Sequence, residues 1–186
     1  MTTDNPDLLN GLTLDEVLEH WFRYDNRSSK PEFALITGTG VCGKTRLRHE
    51  QFAKSHVNVD AGDIFRRLEG DRILDFPGEH REIIDKVGRV IAKTAISGKL
   101  NIVTEVHHLE LDSHRALIDA MTGAGYKVNV VVLECEWEEA QRRNLARGPH
   151  NISAYYTDEF NVKWLVAAAK ITGKFGRVYE AGRETT

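Results

Sequence analysis

The sequence predicts an α/β fold in which a parallel five-stranded sheet is covered by helices on both faces. Short apolar runs, typical of buried parallel strands, alternate along the chain with amphipathic segments typical of helices. Strands that alternate with helices form a parallel sheet whose two faces the helices cover. The chain has 186 residues, of which 41% are hydrophobic, and this is enough to bury one core. We therefore predict a three-layer sandwich.

The first predicted element is a helix that precedes the sheet. Apolar residues recur there at three- and four-residue spacing, and Thr13 with Glu16 resembles a capping box. A polar connector occupies residues 25–31. We therefore divide the chain into an N-terminal helical extension packed on the core, residues 1–30, and a core domain, residues 31–186.

The core domain contains the remaining predicted elements. The continuous apolar run 33–37 is predicted to be the central strand. The other predicted strands are 56–59, 101–104, 128–133 and an edge strand at 178–179. The predicted helices are 61–68, 83–96, 112–122, 136–146 and 158–171.

Composition excludes several functional classes. The net charge of −3 gives no global basic excess of the kind that drives non-specific nucleic-acid binding, so nucleic acid is not a favoured partner. Two cysteines are too few for a disulfide-stapled secreted scaffold, and the N-terminus does not resemble a signal peptide. No apolar run approaches the roughly 18 residues that span a bilayer. These features predict a cytoplasmic protein with no membrane partner.

One motif predicts nucleotide binding. The residues that follow the central strand fit the pattern G-x-x-x-x-G-K-[ST]: Gly38, Thr39, Gly40, Val41, Cys42, Gly43, Lys44 and Thr45. Glycines allow the tight turn, and the next helix presents its positive dipole end to the same phosphate. Lys44 is expected at the β- and γ-phosphates and Thr45 at magnesium. The fold is then that of a P-loop NTPase, with ATP and Mg²⁺ as cofactors. The alternative is a chance Lys-Thr pair after a glycine-rich turn.

The second predicted strand ends in candidate acceptor residues. No Asn/Thr-Lys-x-Asp element follows the strand 128–133, which argues against a guanine switch and favours a kinase. Asp60 lies at the carboxyl end of its strand, where a carboxylate can take the proton of an attacking hydroxyl. The alternative role of Asp60 is a helix N-cap. Asp63 is a first-turn charge and candidate substrate contact, and Arg66 is either a phosphate anchor or a solvated surface residue.

The third predicted strand ends at Glu105, on the same rim. This carboxylate is a candidate for binding magnesium through water or for holding a substrate hydroxyl; the alternative is an ordinary solvated carboxylate. His107 and His108 follow, but adjacent residues point to opposite sides, so we predict no zinc site there.

A cationic helix end is predicted to close over the nucleotide. Arg143 and Arg147 share a helix face at four-residue spacing. Cations there would neutralise charge on a transferred phosphoryl group and act as a lid. The alternative is that these arginines only balance the negative charge at the C-terminal end of the helix dipole.

Taken together, these segments resemble the zeta-toxin and polynucleotide-kinase-like group of P-loop kinases. The resemblance covers residues 31–149 and includes the segment 59–66, the strand end Thr104-Glu105, the strand entry 123–128 and Arg143-Asn144-Leu145-Ala146-Arg147.

The resemblance implies roles for the matching residues. It makes Lys44 and Thr45 the phosphate and magnesium contacts, Asp60 the base, and Arg143 and Arg147 lid cations. Arg66 and Glu105 become substrate-side groups, and His107 is a further candidate substrate contact.

Two positions depart from the zeta-toxin pattern. His107 and Leu109 stand where zeta toxins that act on UDP-N-acetylglucosamine place a Thr and an Arg. The second acidic position, Asp63, is displaced by one residue, which brings nucleoside monophosphate kinases into view.

Three functions follow as hypotheses. The first is an ATP-dependent kinase that phosphorylates a hydroxyl of a nucleotide, a nucleotide-sugar or another small nucleotide-like acceptor. The second is a polynucleotide kinase acting on a 5′-hydroxyl end or on hydroxymethylated bases in DNA. The third is a nucleotide-binding regulatory protein without catalysis.

Overall fold

Seven strands and seven helices make up the described part of the chain. A computed structural model describes residues 8–9, 12–22, 27–69, 81–106, 111–147, 159–173 and 177–179. The strands are β1 (Leu8–Leu9), β2 (Leu12–Thr13), β3 (Glu32–Gly38), β4 (Val57–Asn58), β5 (Ile102–Val106), β6 (Lys127–Leu133) and β7 (Arg177–Tyr179). The helices are α1 (Leu14–Trp21), α2 (Lys44–Gln51), α3 (Ala61–Glu69), α4 (Arg81–Ser97), α5 (Leu111–Gly123), α6 (Trp137–Leu145) and α7 (Glu159–Gly173).

The central sheet has five strands in the order β4-β5-β3-β6-β7. Every pair in it is parallel, and β3 lies at its centre. The predicted fold class is therefore confirmed. The reason is visible in β3, where alternate residues face two different apolar clusters and the strand is buried throughout the run 33–38.

Helices cover both faces of this sheet. On one face, Ala34 and Ile36 of β3 pack with Leu47 of α2. On the other face, Phe33 and Leu35 belong to a larger cluster with side chains from α1, α3, α4 and α5.

The carboxyl ends of the parallel strands form one rim. In register, Ile36 of β3 lies beside Glu105 of β5, and Gly38 lies beside Leu133 of β6. Residues 59–60 leave β4 at the same rim. The loop after β3 and the strand ends predicted to carry chemistry therefore meet at one edge, which is where ligands bind in open α/β sheets.

Helix α1 begins at Leu14, directly after the predicted capping residue Thr13. Thr13 is extended (φ −74°, ψ 155°) and caps the helix through a complete capping box with Glu16, so the residues before it lie outside the helix. At the other end, Trp21 is buried in the larger core cluster. Within the described residues, no helix is long and apolar enough to cross a bilayer.

Candidate active site

The glycine-rich loop turns sharply at both of its ends. Gly38 has φ +147°, and a Cβ there would lie 2.3 Å from the backbone oxygen of Leu133. Gly43 has φ +99° and forms the N-cap of α2. Only glycine adopts these conformations without strain. Gly43 has no side chain to cap the first N–H groups of α2, and such groups are the donors that a helix N-terminus offers to an anion.

Lys44 is buried at the mouth of this loop. The side chain is 2% exposed, and its Nζ donates to the carbonyl oxygens of Gly38 at 3.0 Å and Thr39 at 2.5 Å. Burial lowers the pKa of Lys44, although the nearby Cys42, Glu105 and Asp60 oppose that shift. The ammonium group is therefore held against the loop by neutral acceptors that a phosphate oxygen would replace favourably.

Thr39 supports the same interpretation of the loop. Thr39 is fully buried, and its Oγ1 has no hydrogen-bond partner in the described part of the chain. A buried hydroxyl normally has a partner. An unsatisfied hydroxyl in a glycine-rich loop fits a site built for a polyanionic ligand, so the residues present fit ATP.

Thr45 and Glu105 bring two oxygen-bearing side chains together beside the loop. Thr45 Oγ1 donates to Glu105 Oε2 at 3.1 Å. Hydroxyl and carboxylate oxygens are the ligands that magnesium prefers, usually with substrate phosphates and water. Among the residues that the structure describes, no group of three His, Cys, Asp or Glu side chains forms a metal cage by itself. The Thr45–Glu105 pair therefore fits an ion that is also bound by phosphate.

Arg48 is a buried residue of the site that the sequence analysis missed. It is 2% exposed, and its Nε donates to Glu105 Oε1 at 2.5 Å. Its terminal nitrogens donate to both carboxylate oxygens of Asp63, and one of them lies 3.8 Å from Asp60 Oδ1. One guanidinium thus connects all three candidate carboxylates. The one-turn spacing places Arg48 on the same face of α2 as Lys44, but this spacing does not by itself show that the arginine is buried.

Asp60 is buried at the end of β4 and caps α3. The residue is 7% exposed, and its Oδ1 accepts a hydrogen bond from the Asp63 backbone N–H at 3.0 Å. The N-cap contact that was the alternative role of Asp60 is therefore present. Burial raises the pKa of Asp60 to about 6; Arg48 opposes the shift, while Glu105 and Asp63 add to it. A carboxylate with this pKa can exchange a proton near neutral pH.

Asp63 has the opposite electrostatic environment. Burial alone would raise its pKa, but hydrogen bonds and charge from Arg48, with further help from Arg66, leave the pKa lowered. Arg66 and Asn58 both donate to the same carboxylate. Two neighbouring carboxyl groups are thus pushed to different pKa values, the pattern that separates a proton acceptor from a permanently charged partner.

The two predicted lid arginines contact the glycine-rich loop. Arg143 NH1 donates to the Val41 carbonyl at 3.3 Å, and Arg147 NH2 donates to the Gly40 carbonyl at 3.4 Å. Arg143 also pairs with Glu139 through its Nε at 2.6 Å. Both cations therefore lie over the loop, one helical turn apart.

A cavity of about 590 Å³ adjoins these groups. It lies along the edge strand β4, between α2 and α3, with the end of α1 at its side. Thr45, Arg48, Asp63 and Arg66 line it near the rim. The structure therefore brings Lys44, Thr45, Asp60, Asp63, Arg66 and Glu105 close together, and of these six Thr45, Asp63 and Arg66 line the cavity. The remaining candidate, His107, lies outside the described residues.

The Zeta toxin family model matches residues 14–171 of the chain, a range that includes α1. A search of the curated proteins finds no match. The chain is similar to a solved structure from the PezAT chromosomal toxin–antitoxin system of Streptococcus pneumoniae, with 16% identity and a TM-score of 0.63. That match covers 90% of this chain and 74% of the pneumococcal one.

The chain is also similar to the AvrRxo1-ORF1:AvrRxo1-ORF2 structures. The form with sulphate ions gives 16% identity and a TM-score of 0.55, covering 93% of this chain and 60% of that one. The form with ATP gives 16% identity and a TM-score of 0.54, covering 93% of this chain and 59% of that one. The chain thus spans about three-fifths of those longer proteins, and likeness at this identity shows the shared fold.

Proposed function

The chain belongs to the zeta toxin family and is a zeta-toxin-like P-loop kinase, and from this premise we propose that it transfers the γ-phosphoryl group of ATP to a hydroxyl of a small nucleotide-like acceptor. One observation carries the proposal. The guanidinium of Arg48 links the helix of the phosphate loop to Glu105, Asp63 and Asp60. The nucleotide side and the acceptor side therefore belong to one hydrogen-bonded unit.

On the nucleotide side, the loop and Lys44 would hold ATP. The N-terminus of α2 and the ammonium of Lys44 supply positive charge to the β- and γ-phosphates. Thr45 would bind Mg²⁺ directly, with Glu105 behind it through water. When bound, the ion neutralises charge on the transferred group. An ATP-bound structure among the similar folds supports this choice of nucleotide.

On the acceptor side, Asp60 is the proposed base. Its carboxylate would accept the proton of the attacking hydroxyl while its Oδ1 contact to the Asp63 backbone fixes its orientation. Arg48 and Asp63 would hold the Asp60 carboxylate in position. Neither would act as the base, because the ion pair between them keeps both charged. Arg66 lines the cavity close by and would attract a phosphate of the acceptor.

The lid arginines would complete the site. Arg143 and Arg147 lie close enough to the loop backbone to reach phosphate oxygens held there. A cation in that position stabilises negative charge that grows on the phosphoryl group during transfer. Because both arginines contact the loop, we expect them to bind the phosphates of ATP rather than the backbone of a polynucleotide.

The proposal is tested by incubating the protein with γ-labelled ATP, Mg²⁺ and a panel of acceptors. The panel contains nucleotides, nucleotide-sugars and oligonucleotides with 5′-hydroxyl ends or hydroxymethylated bases. We expect label in a small nucleotide-like product, and none with Lys44→Ala. Label only in oligonucleotides would replace the proposal by a polynucleotide kinase. Absence of label from every acceptor would favour a regulatory protein without catalysis.

A further inference from the structure

The chain has two cysteines, and the fold brings them together beside the glycine-rich loop. Cys42 lies in the loop, and Cys135 follows the end of β6. Gly38, where the loop begins, pairs in register with Leu133, the last residue of β6. Cys135 therefore comes two residues after the strand end that lies against the loop. Both cysteines are free thiols and belong to one small buried cluster.

The sulfur of Cys42 lies next to the end of β6. A Cβ on Gly38 would lie 2.8 Å from Cys42 Sγ and 2.3 Å from the Leu133 backbone oxygen, so the sulfur and that oxygen are both close to one point. The two thiols also affect each other electrostatically. Burial raises the pKa of the Cys135 thiol, Arg143 opposes the shift, and Cys42 adds to it. The two cysteines are therefore neighbours across the boundary between the loop and β6.

A second cavity gives a small oxidant a route to this pair. Cys135 lines a cavity of about 330 Å³ between the end of β6, α6 and α7. Neither residue is completely enclosed, since Cys135 is 9% exposed and Cys42 is 8% exposed. The raised pKa keeps the Cys135 thiol protonated at neutral pH, and the thiolate is the form that reacts readily. The pair therefore stays reduced until an oxidant is supplied in excess.

The Cys42 thiol also helps to hold the loop in shape. Its Sγ donates to the Thr39 carbonyl at 2.8 Å, and its backbone N–H donates to the same oxygen at 3.4 Å. Lys44 Nζ donates to that oxygen as well, at 2.5 Å. One carbonyl thus connects the middle of the loop to the phosphate-binding lysine. A sulfur in a disulfide has no hydrogen to donate, so oxidation of Cys42 removes one of these contacts.

We propose that Cys42 and Cys135 form a reversible disulfide that lowers the affinity of the loop for ATP. The two thiols give two electrons and two protons to one molecule of hydrogen peroxide. The S–S bond forms, the O–O bond breaks, and two molecules of water are released. The new bond pulls the middle of the loop towards the end of β6, so its N–H groups no longer converge on a phosphate. The inference rests on the part of the proposed function in which this loop binds ATP.

The effect of the disulfide on ATP has a required counterpart. Coupling between two binding events is reciprocal, so a disulfide that weakens ATP binding is itself disfavoured by bound ATP, by the same factor. A loop occupied by ATP should therefore keep the two thiols reduced under conditions that oxidise the empty loop.

The first experiment follows the cross-link in the full-length protein. Reduced protein is treated with hydrogen peroxide, and its thiols are then counted in denaturant. We expect both thiols to disappear and dithiothreitol to restore both. Digestion without reductant should yield a peptide pair joined through Cys42 and Cys135, identified by mass spectrometry. Oxidation of the thiols to sulfinic or sulfonic acids without this pair, or a disulfide between two chains, would overturn the proposal.

The second experiment measures ATP binding by calorimetry with Mg²⁺ and a non-hydrolysable ATP analogue. We expect the oxidised protein to bind the analogue at least about tenfold more weakly than the reduced protein, and dithiothreitol to reverse the loss. In a glutathione redox buffer, saturating analogue should lower the oxidised fraction. The matched control is Cys135→Ala, which keeps the Cys42 thiol but removes its partner. Peroxide should leave the affinity of this variant unchanged.

Two binding results would contradict the switch. Equal affinity in the cross-linked and reduced proteins would show that the disulfide does not act on the loop. An equal loss of affinity in Cys135→Ala would mean that oxidation of Cys42 alone is responsible. If the reduced protein failed to bind the analogue, the switch and the nucleotide site would both be wrong. Failure of phosphoryl transfer looks different, because the cross-link and the change in affinity persist while no label passes from ATP to any acceptor.

Discussion

Arg48 Nε donates to Glu105 Oε1 at 2.5 Å, and both side chains are almost completely buried. The contact joins the helix of the phosphate loop to the strand next to the central strand. The same guanidinium reaches Asp63 and approaches Asp60. A buried charge with several partners is held rigidly, since each partner compensates part of its desolvation.

We therefore expect Arg48→Met to destabilise the protein strongly. The substitution preserves most of the side-chain volume but leaves buried carboxylates unpaired, which lowers the free energy of unfolding by about 3–5 kcal/mol. Denaturant titration measures the change. The matched control is Arg46→Met on the same helix, because Arg46 is exposed and pairs only with Glu50 among the contacts described. A loss equally small in both variants would show that the buried network contributes little.

Replacing the proposed base should separate catalysis from nucleotide binding. Asp60→Asn keeps the oxygen that caps α3, so we expect ATP affinity within a few-fold of wild type. We expect kcat to fall about a hundredfold or more, because the amide cannot take a proton. Asp85→Asn, at an exposed position of α4, is the control and should retain activity. Full turnover in Asp60→Asn would mean that another group is the base.

Asp60 should also make stability depend on pH in an unusual direction. Its pKa in the folded protein is raised to about 6, so the folded state holds this proton more tightly than the unfolded chain does. The contribution of this group is then fully present below about pH 4 and is lost as the pH rises through about 6. At pH 8, Asp60→Asn should unfold with a free energy about 1–3 kcal/mol higher than wild type.

Denaturant titrations at pH 5 and pH 8 measure the difference in free energy of unfolding between Asp60→Asn and wild type. This difference should be smaller at pH 5, because the wild-type carboxyl regains its proton there. In kinetics, kcat/KM of the wild type should rise with pH and level off above about 6, as deprotonation of a base requires. If the difference in free energy of unfolding between Asp60→Asn and wild type did not change with pH, Asp60 would not be the group with the raised pKa.

The first glycine of the loop should tolerate no side chain. In Gly38→Ala, the new Cβ would lie 2.3 Å from the Leu133 oxygen and 2.8 Å from Cys42 Sγ, at a φ of +147°. We expect the free energy of unfolding to fall by about 2–5 kcal/mol. We also expect the variant to lose ATP binding, because the loop can no longer keep its conformation. Gly123→Ala is the control, because a Cβ there meets nothing within 4 Å. Thermal unfolding with and without ATP distinguishes the two variants.

The lid arginines should matter for turnover more than for folding. We expect Arg143→Ala and Arg147→Ala each to reduce kcat about ten- to a hundredfold, because a cation near the transferred group is lost. Arg142→Ala is the control on the same helix; Arg142 is exposed and pairs with Glu139. If Arg142→Ala reduced kcat as strongly as the other two, general charge on α6, rather than the contacts with the loop, would explain the effect.

The sequence predicted the sheet well because its strands have a simple signature. The run 33–37 is apolar throughout, since β3 is covered on both faces, and the predicted strand lies within β3. The capping box of Thr13 and Glu16 predicted the start of α1, and the helix begins at the next residue, Leu14. Apolar spacing alone would extend the helix back to Leu12, but the backbone of Thr13 is extended, so the cap determines where the helix begins.

The candidate site was predicted in part because its residues lie in recognisable local contexts. A loop motif and strand ends identify Lys44, Asp60 and Glu105 from the chain alone. Arg48 has no such context: charged residues surround it in α2, and Arg46 two positions earlier is exposed. Only the packing of α2 against β5 decides which arginine is buried.

The order of the strands has a consequence for how copies of this chain meet. Among the described residues, the edge strand β4 has two residues, while β3 and β6 have seven each. A short edge exposes few unpaired N–H and C=O groups to a neighbouring molecule. The β4 edge therefore offers little template for strand addition between copies, and its length disfavours edge-to-edge aggregation on that side of the sheet.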